Sequence, residues 1–392
     1  MIKSQSIPLT HDLVLIGGGH SHAIALKLWG MNPLPGVRLT LITDTTHTPY
    51  SGMLPGHVAG FYNFEKTHLD LPRLARFSGA KFCLDQAISL DLINNKVICA
   101  NSSPISFDYL SIDIGSTPNI INVPGASEYA IAAKPVPGFL IAWNNLIKKV
   151  INHPEESYSI SIVGGGAAGV ELALNMQSRL SEILQQAHQP LDNLNINLLH
   201  QGESLLTGHN IWVSQKLEKI FHQRKINLYL QQKVIKILPI SQNTYQLECE
   251  SKLKINCNII FWVTQASAAN WIKKSGLATD QRGFILVNNY LQSISHPHIF
   301  AAGDIATIKN YPRPKAGVFA VRQGKPLFNN LQNTILGKSL KGYYPQKFYL
   351  SLIGTGDKNV ILSWAFLGFQ SSILWYWKDY IDRKFMDQFK NL

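Results

Sequence analysis

One pattern of apolar and polar positions occurs twice along the chain. Residues 13–16 are apolar throughout, three glycines follow, residues 23–29 have the period of a mostly buried helix, and residues 37–43 (VRLTLIT) form a second apolar run. Residues 159–163 (SISIV), the glycines at 164–166, a helical pattern to about 187 and residues 195–200 (NINLLH) repeat that order. Continuous apolar runs suit strands covered on both faces, and their alternation with helices predicts βαβ units on a parallel sheet. Two copies of one such unit are the most informative feature of the chain.

Each copy is followed by a segment of crossing character. After the first comes FDYLSIDIGSTPNIINVPGA (107–126), a strand ending in Gly-Ser-Thr-Pro; after the second comes IIFWVTQASAA (259–269). A later strand, residues 299–302, runs into Gly303-Asp304. The predicted fold is α/β with two Rossmann-like dinucleotide-binding domains, one inserted in the other. Residues 1–120 and 280–340 make the first, 121–279 the second, and 341–392 a C-terminal hairpin and amphipathic helix. The hairpin is expected from strands at 348–353 and 360–366 around GTGDKN. In the closing helix Leu374, Trp377, Ile381, Phe385 and Phe389 form one stripe, with Asp379, Asp382, Arg383 and Asp387 largely opposite.

Length and composition narrow the reading. A chain of 392 residues supports two or three cores, and 45% hydrophobic with 15% charged residues predicts folding throughout. The formal charge of +12 suits an anionic cofactor or a membrane surface, but no Lys/Arg run, helix-turn-helix or zinc spacing points to nucleic acid. Cys83, Cys99, Cys249 and Cys257 form no C-x-x-C, so neither a metal nor a redox disulfide is expected. The short apolar run near the start is needed as the first strand and does not read as a signal peptide. Residues 359–377 carry no charge, but Gly368, Gln370, Ser371 and Ser372 interrupt them, so a peripheral element is expected rather than a membrane span.

In the second copy Gly164, Gly166 and Gly169 complete G-x-G-x-x-G between a strand and a helix. The first two glycines let the backbone turn and approach a pyrophosphate, the third lets the helix pack close, and the helix N-terminus receives the anion. A carboxylate ending the next strand would bind the free ribose hydroxyl of NAD. His200 stands there instead, which leaves the 2′-phosphate of NADPH unrepelled, although Glu203 is near enough in sequence to fold back. In the first copy Gly17, Gly18 and Gly19 keep the phosphate roles, while His22 replaces the packing glycine and should set the helix slightly farther from the strand. His20 and His22 read equally as phosphate contacts and as residues at a helix start. Asp44, just past the second strand, is the expected ribose carboxylate.

With GGGHSH, IGSTP, GGGAAGVE and FAAGDIA in that order over nearly the whole chain, the sequence resembles the FAD-dependent pyridine nucleotide-disulfide oxidoreductase superfamily. The resemblance implies FAD on the first copy, NAD(P)H on the second, and Gly303 and Asp304 on the flavin's phosphate and ribitol, with Gly115 of IGSTP beside them. Lacking a cysteine pair, the chain looks closest to type II NAD(P)H dehydrogenases, which pass a hydride to FAD and then reduce a quinone at a membrane surface. PKAGVFAVRQGKPL (314–327) resembles their flavin- and quinone-proximal segment, which places Lys315, Gly317 and Gln323 near the flavin. By the same resemblance Glu171 stands near the nicotinamide and flavin, where proton handling and simple helix capping are equal readings, and YSGMLP (50–55) packs over the ring. Gly317-Val318 and Arg322-Gln323 replace the polar residues usual there. GGGHSH, TPYSGMLPG, PKAGVFAVRQG and WKDYIDRKFM resemble more closely a subgroup found fused ahead of selenide, water dikinase.

The expected activity is therefore an FAD-dependent NAD(P)H dehydrogenase with a quinone-like acceptor, cytoplasmic and peripheral to a membrane through its C-terminal helix. The rivals are a soluble flavin reductase of thiol or selenium metabolism and a redox-sensing binding protein. For the closing helix the rival to lipid is a homodimer contact or packing on its own domain.

Overall fold

The computed structural model describes residues 9–118, 123–264 and 266–392. The first eight residues, the expected domain boundary at 120/121 and Gln265 lie outside the described residues.

The first apolar run is strand β1 (His11–Ile16), followed by α1 (His20–Met31), β2 (Val37–Thr43), β3 (Lys81–Leu84) and β4 (Tyr109–Ile112). Leu13 to Ile16 are all at most 2% exposed, as a strand covered on both faces requires. Helix α1 begins at His20, three residues before the apolar period does, because the carboxylate of Asp113 accepts the otherwise orphaned N–H groups of Ser21 and His22.

The second copy comprises β5 (Ile131–Ala132), β6 (Tyr158–Val163), α2 (Ala167–Gln186), β7 (Leu194–Leu199), α3 (Ile211–Gln223), β8 (Asn227–Tyr229) and β9 (Ile259–Trp262). Its sheet has the parallel order β5-β9-β6-β7-β8. In both copies a three-stranded antiparallel meander, at 87–106 and 234–257, precedes the fourth long strand.

The chain then returns. Strand β10 (Ile299–Ala301) pairs with β4 and completes a first sheet of order β10-β4-β1-β2-β3, also parallel. Helix α4 (Gly317–Ile335) packs against α1, and Gly324 permits it, since a Cβ there would meet Ile24 at 2.6 Å. In each sheet connections leave the central strand in opposite directions, so a crevice opens at the strands' carboxyl ends, where the glycine loops stand.

The tail differs from the expected hairpin. Three antiparallel strands form, β11 (Ser351–Gly354), β12 (Val360–Trp364) and β13 (Leu367–Ser371). The second strand, expected to run to 366, stops at Trp364 because the chain turns at Ala365 with φ 49°, and 367–371 folds back as the third. Helix α5 (Ile373–Asp387) follows. No helix among the described residues is long and apolar enough to cross a membrane.

Candidate functional site

In the first loop Gly17 has φ 91°, and a Cβ on it would meet the Asp113 carbonyl at 2.4 Å, so only glycine fits. Gly18 lies on Leu71 and Gly19 on the Asp113 carboxylate. His22, fully buried, does not face a phosphate. Its Nδ1 donates to the Gly17 carbonyl at 2.7 Å and its Nε2 accepts from the Ser111 hydroxyl at 2.8 Å. A carbonyl can only accept, so this assigns the neutral tautomer, and burial pushes the ring down to about 4. His20 is the loop's outward histidine. It packs edge-on to Tyr50 and Phe385, burial pushes it down to about 4, and its buried Nε2 has no partner among the described residues. Asp44 is exposed immediately past β2, beyond the buried Thr43.

The second loop starts alike: Gly164 has φ 130° and would set a Cβ 2.4 Å from the Val263 carbonyl. Gly169 then lies so close to the Gly164 carbonyl that a Cβ would stand 1.8 Å from it. Nothing lies within 4 Å of the Cβ position of Gly166, an open cradle at the start of α2. His200 accepts from the Gly165 N–H through Nδ1 at 3.1 Å, leaving the ring proton on Nε2, which is buried and unpartnered. Burial lowers its pKa although the Ser204 backbone opposes this, so the residue in the ribose position is uncharged near neutrality. Glu203 is exposed.

Gly303 and Asp304 follow β10 at the mouth of the first sheet. The Gly303 N–H donates to Gln323 Oε1 at 2.6 Å, and Gly303, Asp304, Lys315 and Gln323 line one cleft. Burial alone would raise Asp304, but Lys134 at 2.8 Å, Ser116 at 3.1 Å and the more distant Lys315 hold it below the usual carboxylate range. Lys134 comes from the segment after β5, so the second unit supplies a cation to the first. Gly115, with φ 71°, has nothing within 4 Å of its Cβ position, and Gly317 abuts Ser51. Lys315 turns toward Ala306 O and Thr307 Oγ1, at 2.6 and 2.9 Å, with its ammonium 4.0 Å from the Phe284 ring centroid. Burial lowers it to about 8. The open surface at Gly115, the orphaned His20 nitrogen and the Gly303-Asp304 turn fit a flavin dinucleotide, and the cradle at Gly166 fits a nicotinamide nucleotide.

Glu171, on the first turns of α2, points toward the tail. Its Oε1 accepts from the Gly354 N–H at 2.8 Å, and burial raises it to about 7 against the pull of Lys378 and that N–H. Lys378 of α5 pairs with Asp382 at 2.6 Å and reaches Gly52 O. Tyr50 hydrogen-bonds Asp382 and stacks on Phe385, centroids 4.3 Å apart. The stripe expected on α5 is thus divided. Phe385, Met386, Phe389 and Asp382 are buried, whereas Ile373, Tyr376, Trp377, Tyr380 and Ile381 are exposed. Asp382, expected on the polar outer face, lies inside because Lys378 and Tyr50 satisfy it there.

Sequence reasoning missed Asp113, Lys134, Lys378 and Asp382. Asp113 carried a signal, a carboxylate closing the otherwise uncharged segment LSIDIG, and Lys378 and Asp382 have the i, i+4 spacing of a helical pair.

Two glycine loops on two parallel sheets, converging with a Gly-Asp turn, define a flavoprotein with two dinucleotide-binding folds. Residues 11–324 match the pyridine nucleotide-disulphide oxidoreductase family, and the chain belongs to it. It is an oxidoreductase whose cofactors are FAD and a nicotinamide nucleotide. Ferroptosis suppressor protein 1 of Xenopus laevis is 25% identical over 85% of this chain and 83% of its own length. The NADH dehydrogenase-like protein YutJ of Bacillus subtilis is 23% identical over 88% of this chain and 90% of its own. The structure of NDH2 from Plasmodium falciparum in complex with NADH superposes with a TM-score of 0.80 at 16% identity, covering 97% of each chain.

Proposed function

We propose that the chain is an NAD(P)H dehydrogenase that reduces a quinone-like acceptor at a membrane surface. The observation that carries this is helix α5, whose two faces serve opposite media. Inward it brings Lys378 and Asp382 to Glu171 and Tyr50; outward it exposes Ile373, Tyr376, Trp377, Tyr380 and Ile381. Aromatic residues favour the lipid interface, and the nearby Lys384 and the net charge of +12 favour anionic headgroups. The exposed face continues across Phe366, Leu367 and Phe369 to Ile211 and Trp212 at the start of α3.

Residues 1–120 and 280–340 hold FAD through Gly17, Gly18, Gly19, His20, Gly115, Gly303, Asp304 and Gly317, with Asp44 toward the adenosine ribose. Residues 121–279 hold the nicotinamide nucleotide through Gly164, Gly166, Gly169 and His200. Held there, FAD would supply two-electron redox chemistry between the nicotinamide nucleotide and the acceptor. Reducing a quinone also consumes two protons, and Glu171, raised to about 7, changes protonation where that requires. Lys134 keeps Asp304 ionised toward the ribitol, and Gln323 fixes the Gly303 turn. The lack of a carboxylate at His200, which leaves a 2′-phosphate unrepelled, supports NADPH. GGGHSH and WKDYIDRKFM support the subgroup fused ahead of selenide, water dikinase, on the cytoplasmic side of the membrane.

The test is an anaerobic titration of the purified protein with NADPH, then reoxidation by a water-soluble quinone, with and without anionic vesicles. Bleaching and quinone-dependent reoxidation are expected, together with co-sedimentation with the vesicles that is lost when Tyr376, Trp377, Tyr380 and Ile381 become serine. Deleting α5 is not a usable control, because Phe385 and Phe389 belong to the core of the first unit. Bleaching without reoxidation by any quinone would overturn the acceptor.

A further inference from the structure

The end of β4 carries a group unused so far. Asp113 is 2% exposed, and its Oδ2 accepts from the Ser21 and His22 N–H groups at 2.9 and 3.1 Å. Its Oδ1 lies between the first loop and the Gly303 turn, 2.3 Å from where a Cβ would stand on either Gly19 or Gly303. Gly19 opens the helix whose N-terminus receives the cofactor's pyrophosphate, and Gly303-Asp304 is the turn assigned to the same cofactor. A carboxylate thus stands where an anion must be received, and two anions in one desolvated gap repel.

We propose that Asp113 contacts the pyrophosphate of FAD as the neutral acid, with its proton on the oxygen that faces Gly19 and Gly303, so that flavin loading takes up one proton. Protonation removes the repulsion and converts that oxygen to a donor, while Oδ2 keeps its two bonds to α1. Burial, with Asp304 adding to it, raises Asp113 to about 7 against the pull of the His22 and Ser21 N–H groups, which puts the proton within reach near neutrality.

The other groups around the gap are accounted for. From α1, His20 and His22 are both pushed down to about 4 by burial and stay neutral. The Gly303 turn brings Asp304, held ionised by Lys134 and Ser116. Lys315, lowered to about 8 by burial, is bound to Ala306 and Thr307. Helix α4 contributes the uncharged Ala320 and Gln323. Asp113 is the group whose oxygen lies between the two glycines.

The inference rests on FAD occupying the first unit, and flavin fluorescence quenching on the full chain freed of flavin tests both. The FAD dissociation constant should rise about tenfold between pH 6 and pH 8, since each unit above the free protein's pKa removes a decade of the competent form. Asp113→Asn should bind FAD at pH 8 as the unaltered protein does at pH 6, without that slope. Should the variant fail to fold, calorimetry of the unaltered protein at pH 8 in two buffers of different ionisation enthalpy should show close to one proton taken up per FAD. No proton uptake, or a slope that persists in Asp113→Asn and disappears in Lys315→Met, would overturn the proposal. Absence of FAD binding at every pH would instead overturn the assignment of FAD to this unit.

Discussion

The two glycine loops begin alike and then depend on different partners. Gly17 and Gly164 both turn with positive φ beneath a carbonyl from the residue after the fourth strand, Asp113 in one unit and Val263 in the other. Five residues on, Gly169 leaves no room for a side chain against the Gly164 carbonyl, whereas His22 occupies the same position and hydrogen-bonds the Gly17 carbonyl. One unit closes the helix on its strand by absence of a side chain, the other by a buried imidazole with both nitrogens engaged. The motif therefore specifies a carbonyl that must be covered, and glycine is one of two ways to cover it.

Exchanging the two solutions gives the largest expected effects. Gly169→Ala places a methyl 1.8 Å from a carbonyl oxygen, and should destabilise the second unit by on the order of 4 kcal/mol. Urea unfolding should show the loss, and stopped-flow reduction by NADPH should fail while the flavin spectrum remains. His22→Gly should cost about 3 kcal/mol, because it opens a cavity and leaves the Ser111 hydroxyl and Gly17 carbonyl without their partner. FAD should still bind, since the imidazole faces the core. If Gly169→Ala unfolds like the unaltered protein, the contrast between the loops is lost.

The repeated strand–loop–helix pattern was legible because fully covered strands and glycine loops are dictated locally, and its ends moved by only one to three residues on folding. His22 was legible as a departure but not as a hydrogen-bonded group, because its partner Ser111 lies on a strand far away in sequence. Asp113, Lys134 and the burial of Asp382 were hidden for the same reason: each depends on groups from another element, for Asp382 the Tyr50 hydroxyl, and a charge viewed alone on a strand end or helix reads as solvent-facing. The tail's third strand was missed because Gly368, Gln370 and Ser371 read as interruptions of an apolar run, whereas Gly368 and Gln370 alternate with Leu367 and Phe369, which face outward.

The second glycine of each loop separates the units at intermediate cost. Both positions have extended backbone open to any residue, with φ −63° at Gly19 and −75° at Gly166, so a methyl group meets only what surrounds it. At Gly19 that is the Asp113 carboxylate, at Gly166 open space. Gly19→Ala should lower stability by about 2 kcal/mol before any cofactor is added, and the same change should cost much less in an Asp113→Gly chain, where the carboxylate it meets is gone. Gly166→Ala should leave thermal unfolding unchanged and raise the KM for the nicotinamide nucleotide, because the lost space is the cofactor's. Equal losses of stability at both sites would mean that Asp113 does not fill the first cradle.

The smallest expected effect tests the end of β7. His200 lies beneath Gly165 and holds its N–H while uncharged, so it offers the ribose neither the carboxylate that recognises a free 2′-hydroxyl nor a cation for a 2′-phosphate. Asp44, at the end of the corresponding strand of the first unit, is a carboxylate, which is the difference expected if that unit serves an adenosine ribose without a phosphate. His200→Asp should make the second unit resemble the first: the carboxylate accepts from the ribose hydroxyls and repels a 2′-phosphate. The ratio of kcat/KM for NADH over NADPH should rise on the order of tenfold, equivalent to about 1.4 kcal/mol, with Tm nearly unchanged because the Gly165 N–H keeps an acceptor. An unaltered ratio would place nicotinamide selection elsewhere, with the exposed Glu203 the next residue along this loop able to reach the ribose.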